Sequence, residues 1–163
     1  MFEELDALHK NHTWDMVNLP SSQFVVGYRW VYKIKTKADR SVERYKARLI
    51  AKGFTQEYGI DYEETFAPVA RLTSIRCLIA MAVICRWPLY QIDVKNAFLN
   101  GDLQEKVYMQ PPLGYTHSSR QVCHLRRALY GLKQAPRAWF EKFSLVVAQQ
   151  GFASSPNDTA LFV

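Results

Sequence analysis

Residues 29–52 alternate with a period of two, and this pattern constrains the fold more than any other stretch of the chain. Trp30, Tyr32 and Ile34 fall on one side, Lys33 and Lys35 on the other. After a break at 38–41, Tyr45, Ala47, Leu49 and Ala51 alternate with Lys46, Arg48, Ile50 and Lys52. A helix would place apolar residues three and four apart, so the pattern predicts a β-hairpin, apolar on one face and basic on the other. Nine basic residues (Arg29, Lys33, Lys35, Lys37, Arg40, Arg44, Lys46, Arg48, Lys52) face only two acids, Asp39 and Glu43. Such a face suits a polyphosphate, whether nucleotide triphosphate or nucleic-acid backbone. Taken alone, the ribbon reads as an ordinary solvated sheet face.

The net charge of +6 is unevenly spread, with its largest share in this hairpin. Hydrophobic residues make up 48% and aromatics 13% of 163 residues, which excludes a wholly disordered chain and fits one domain or a piece of one. The longest apolar run, 78–85, is flanked by Arg76 and Arg86 and falls well short of the roughly 18 residues of a membrane span. The start, MFEELDALHKNHTW, carries acids where a signal peptide has a basic start and an apolar stretch. An intracellular protein is expected, with a cytoplasmic particle and the nucleus both left open. Cys77, Cys85 and Cys123 cannot all pair within one chain, and the first two would lie about two helical turns apart. All three are expected as free thiols of a reducing compartment. Cys123 and His124 are adjacent with no second pair, which gives no zinc site.

Elsewhere the element types alternate. A turn is expected at 19–22. Thr73 can cap a helix that buries Ile75, Leu78, Ile79, Ala82 and Val83 and stops before Pro88. Residues 89–94 read as a strand, 95–99 as one or two helical turns with Gly101 as the exit, and 107–109 as a short strand. Residues 122–132 look extended until Gly131 breaks them. Pro136 opens a helix with Trp139, Phe143, Val146 and Val147 as its buried stripe, and Gly151 closes it. A further strand starts at 160–163. The fold class is α+β.

Four ordered blocks carry a resemblance: RYKARLIAKGFTQEYGIDYEETFAPVARLTSIR (44–76), WPLYQIDVKNAFLNGDLQEKVYMQPPLGY (87–115), LRRALYGLKQAPRAWF (125–140) and GFASSPNDTALFV (151–163). Together they resemble the reverse transcriptase of copia-type retrotransposons, from about Glu3 to the last residue. The resemblance implies a right-handed polymerase fold. Residues 1–87 would be fingers-like and carry the basic hairpin, about 29–52. Residues 88–109 would be a palm segment with the first catalytic motif, 110–133 a return to the fingers, and 134–163 a palm helix and the start of the next strand. It also implies an RNA template, a DNA primer, deoxynucleotides and two Mg²⁺ ions as partners, and no membrane.

Within QIDVKNAFLNG, Asp93 matches the family's first catalytic aspartate. A carboxylate beside substrate phosphates suits Mg²⁺, a hard ion that takes few protein ligands. The Val94 carbonyl is implied as a second ligand, and the N–H groups of Asn96 and Ala97 as facing the triphosphate. Phe98, five residues after Asp93, matches the aromatic that underlies the sugar and excludes a 2′-hydroxyl. Gln134 resembles a glutamine that contacts the incoming nucleotide and nearby template. Lys46, Arg48 and Lys52 are implied as triphosphate clamps, and alternation does not choose among them. Lys133 and Arg137 read as solvated, with a template-phosphate contact as the other reading.

The family's Y-V-D-D motif follows shortly after the block ending ALFV, and this sequence stops at Val163. On that reading the sheet is incomplete, the chain alone is expected to be inactive, and its uncovered palm edge is open to self-association. Asp158 and Glu141 are the remaining acids near the end, and neither supplies the adjacent pair. The family's hairpin turn carries Asp-Gly where this chain has Asp39-Arg40, which strains Arg40 by about 1–2 kcal/mol or widens the turn over 38–41. Two other readings stay open: a non-catalytic nucleic-acid-binding module, and a domesticated interaction protein that uses the sheet edge.

Overall fold

The computed structural model describes all residues except 22, 116, 117 and 119, so the last residue of the expected 19–22 turn lies outside the described residues. Helix α1 (Phe2–Lys10) buries Leu5 and Leu8, three residues apart on one face. It leads into β1 (Trp14–Asn18), which pairs antiparallel with β6 (Gln121–Leu125), Trp14 opposite Leu125. β6 also pairs with β5 (Tyr108–Met109), and β5 runs parallel to β2 (Val25–Val26), giving the sheet order β1-β6-β5-β2. The core gathers on this sheet: Leu8, Leu99, Val107, Met109, Cys123, Leu125 and Leu129 are all but inaccessible to solvent.

The basic ribbon forms as the alternation predicts. β3 (Tyr28–Thr36) pairs antiparallel with β4 (Val42–Ala51), with Tyr32 opposite Ala47 and Lys33 opposite Lys46. Its turn combines both expectations: Arg40 sits at φ 65°, and the loop closes wide through a Lys37 N–H bond to the Ser41 carbonyl at 2.9 Å. Asp39 supports it by accepting from the Ser41 N–H and hydroxyl. The ribbon's base is held by backbone. The Ala51 N–H donates to the Tyr130 carbonyl at 2.8 Å. A Cβ on Gly53 would fall 2.0 Å from the Gly131 oxygen, and one on Gly131, at φ 92°, would fall 2.2 Å from the Ala51 oxygen. Two chain segments touch there where side chains have no room.

Helix α2 (Leu72–Cys85) departs from expectation. Of the face expected to be buried, only Ala82 is; Ile75, Leu78, Ile79 and Val83 are exposed. Its N-terminal acceptor is not Thr73. The Asp158 carboxylate accepts from the Arg71 N–H at 2.9 Å and from the Ser74 hydroxyl. The helix stops before Pro88 is reached: Arg86 turns left-handed at φ 53°, and the Trp87 N–H closes on the Ala82 carbonyl. Residues 89–94 are not a strand. No described strand pairs with them, and Tyr90 and Ile92 are each 85% exposed. An extended run becomes a strand only when a neighbour takes its N–H and C=O groups. The expected turns at 95–99 shrink to a single 3-10 turn, Ala97–Asn100.

Helix α3 (Ala135–Gln149) carries Pro136 in its first turn, as expected. It buries Ala135 and Ala138 at its start, whereas Phe143 and Val146 of the expected stripe stay largely exposed. Further along, Phe140 and Phe143 meet Phe162 of β8 (Asp158–Phe162), which pairs with β7 (Ser154–Ser155). No described helix is long and apolar enough to cross a membrane.

Candidate active site

The basic face of the ribbon meets the ring of Tyr130. The Arg48 guanidinium lies 4.0 Å from the centroid of Tyr130. Tyr130 in turn meets Phe98 edge-on, centroids 4.9 Å apart. Arg48, Tyr130 and Phe98 thus form one column linking β4 to the turn that follows Asp93. Both contacts are favourable for a cation and a quadrupole, and together they fix the ring. Sequence reasoning passed over Tyr130; its place just before Gly131, which takes a positive φ, was the available signal.

Lys46 shares Arg48's face. Burial pushes its ammonium below the ordinary lysine range, and repulsion from Arg48, Arg44 and Lys35 adds to that, against a smaller pull from Glu4. An anion arriving on this face relieves that repulsion. Lys52 lies one residue beyond β4; its N–H donates to the Gly27 carbonyl at 2.8 Å, and its stem runs past Gly27. Alternation grouped the three cations; the structure keeps Lys46 and Arg48 in the ribbon and sets Lys52 at its base.

Asp93 and Val94 are exposed on the irregular run before the 3-10 turn, and no described side chain bonds the Asp93 carboxylate. Asn96 is left-handed at φ 53°, and its carbonyl accepts from the Leu99 N–H at 2.9 Å. Ala97 begins the turn, and Phe98 is half-buried.

Gln134 is fully buried. Its amide N–H₂ donates to the Asp61 carbonyl at 3.0 Å, and its amide oxygen accepts from Gln56 at 3.1 Å. The oxygen of Gln56 accepts from the Lys133 N–H at 2.9 Å. A buried amide that uses both ends this way holds the 53–62 segment against the start of α3. Lys133 and Arg137 are not merely solvated. The Lys133 ammonium bonds the Gln56 carbonyl and the Tyr62 hydroxyl; Arg137 pairs with Glu105 and Glu141 and donates to the Glu64 carbonyl.

The donors expected for a metal, Asp93 and the neighbouring Val94 carbonyl, both lie on that exposed run. Asp158 is committed to α2 and Glu141 to Arg137. Among the described residues, no three His, Cys, Asp or Glu side chains come together. Two adjacent hard oxygens fit one Mg²⁺ whose other ligands come from water and phosphate. The Cys123 thiol, pushed up to about 12 by burial, is no ligand.

The sequence profile of the family described as reverse transcriptase (RNA-dependent DNA polymerase) matches residues 11–163. The chain belongs to that family. Its relatives are of the copia type. It is 49% identical over all its length to the retrovirus-related Pol polyprotein from transposon RE2 of Arabidopsis thaliana, and 50% to that from transposon RE1. It is 42% identical over 99% of its length to the retrovirus-related Pol polyprotein from transposon TNT 1-94 of Nicotiana tabacum. The chain spans 11–12% of the length of these polyproteins, so it corresponds to a part of each. No solved structure matches it.

Proposed function

We propose that this chain is the nucleotide-addressing part of an RNA-directed DNA polymerase. On this reading residues 1–87 are fingers-like, 88–109 present Asp93 from the palm, 110–133 return to the fingers, and 134–163 belong to the palm. The observation that carries it is the Arg48–Tyr130–Phe98 column, which joins the cationic ribbon to the turn after Asp93. Lys46, Arg48 and Lys52 bind the triphosphate of a deoxynucleotide, and the Asn96 and Ala97 N–H groups orient it. Phe98 lies under the sugar and excludes a 2′-hydroxyl. Gln134 works from behind, holding the 53–62 segment in place. Asp93 and the Val94 carbonyl hold Mg²⁺, which when bound neutralises charge on the reacting phosphates.

Calorimetric titration of Mg·dTTP tests this. The native chain should bind it, Lys46→Ala with Arg48→Ala should weaken binding by about 10-fold or more, and Phe98→Ala should erase any preference over the ribonucleotide. Undiminished affinity in the lysine–arginine double variant would overturn the assignment. With a single carboxylate, Asp93, at the site, the chain by itself should extend a primed RNA template no further than background. Templated extension that Asp93→Asn abolishes would show that other acids complete the site.

A further inference from the structure

The outer half of the ribbon carries a second surface, opposite the cations. Tyr32, Ile34 and Tyr45 are 67%, 56% and 76% exposed, although all three sit on the face whose inner part, Leu49 and Ala51, is buried. Ile34 and Tyr45 are paired across the strands, and Tyr32 stands opposite the small Ala47. Trp30 stands behind, its ring 6.5 Å from that of Tyr32 and tilted by 22°. The reverse side of the same residues holds Lys33, Lys35, Arg44 and Lys46. The acids of this region are occupied: Asp39 bonds Ser41, and Glu43 lies 4.0 Å from Arg44.

A two-stranded ribbon is only about 10 Å across. Rings on one face and ammonium groups on the other are therefore reachable around a single edge. A protein partner would have to cover apolar area next to a dense cationic row. A single nucleic-acid strand offers a flat π-face for the rings and phosphates for the cations within each nucleotide. We propose that Tyr32 and Tyr45, backed by Trp30, stack unpaired bases of a single-stranded nucleic acid whose phosphates cross the ribbon edge to Lys33, Lys35 and Arg44. This rests on the reading of the chain as part of an RNA-directed DNA polymerase, and it assigns the bases to the face that the triphosphate does not use.

The test measures fluorescence anisotropy of a short oligothymidylate and of an abasic oligomer of equal length, across a salt series. Tyr32→Leu with Tyr45→Leu keeps apolar area but removes the rings; Tyr32→Phe with Tyr45→Phe keeps the rings. The Leu pair should lose on the order of 10-fold or more in affinity for oligothymidylate. The slope of log affinity against log salt should not change, since no phosphate contact is removed. The Phe pair should bind like the native chain, and the abasic oligomer should bind the native chain and the Leu pair alike. Native affinity in the Leu pair, or equal binding of abasic and thymidylate strands by the native chain, overturns the proposal. So does a native chain that binds no oligonucleotide. Inorganic tripolyphosphate, titrated in parallel, reports the cationic face alone; its failure to bind sinks the triphosphate assignment and leaves the stacking result to be judged on the oligomers.

Discussion

The core around the four-stranded sheet and helix α2 both carry many large apolar residues, yet these end up in opposite environments. Around the sheet, Leu8, Leu99, Leu125 and Leu129 lose nearly all contact with water. Along α2 and the run after it, Leu78, Ile79, Ile84, Trp87, Tyr90 and Ile92 keep theirs. Sequence apolarity states what a residue gains by being covered. Whether it is covered depends on what the chain brings to that place. In the first region strands from both ends of the sequence converge; at the second, the β7–β8 hairpin reaches the helix through Asp158.

The largest effect should come where backbone meets backbone. Gly53→Ala or Gly131→Ala forces a carbon into a carbonyl oxygen and should cost about 3 kcal/mol or more, or prevent folding. Gly59→Ala, also at positive φ but with open space around it, should cost only about 1 kcal/mol. Equal losses in chemical denaturation would mean the close approach at the ribbon base is not what holds the first region together. Next, Leu129→Ala should cost about 3 kcal/mol, and Leu78→Ala on α2 less than about 1 kcal/mol. Matching midpoint shifts would erase the contrast between the regions.

The smallest effect concerns the joint between α2 and the β7–β8 hairpin. The Ser74 hydroxyl and the Arg71 N–H hold the Asp158 carboxyl below its ordinary value of 3.8. A carboxyl depressed by folding stabilises the fold fully above that value and loses its contribution as pH falls below it. Far-UV circular dichroism should therefore show α2 fraying in acid below about pH 4 in the native chain. In Asp158→Asn that acid-dependent step should be missing. An identical acid profile in the variant would remove Asp158 from its capping role.

Several features were legible in the sequence because they are local. The period of two gave the ribbon and its two faces, and Pro136 marked the start of α3. What was misread depends on distant partners. The run LYQIDV has the residues of a strand, but a strand also needs a neighbour. Thr73 is a sound local cap, yet Asp158, far along the chain, supplies the acceptor. The site divides in the same way. Asp93 and Phe98 could be nominated from the spacing of one resembling block. The burial of Gln134 was not, because an amide in a sequence does not reveal whether its partner is a ligand or Gln56. Tyr130 had no role until the ribbon folded back beneath Arg48.

The three thiols divide along the same line as the two regions. Cys123 is buried in the sheet, and with its proton held up to about 12 it is shielded from alkylating reagents near neutral pH. Cys77 and Cys85 lie open on α2. The unmodified protein thus carries its own chemical footprint: a maleimide marks the bare helix and spares the core, and whatever comes to cover that helix writes itself as a loss of label.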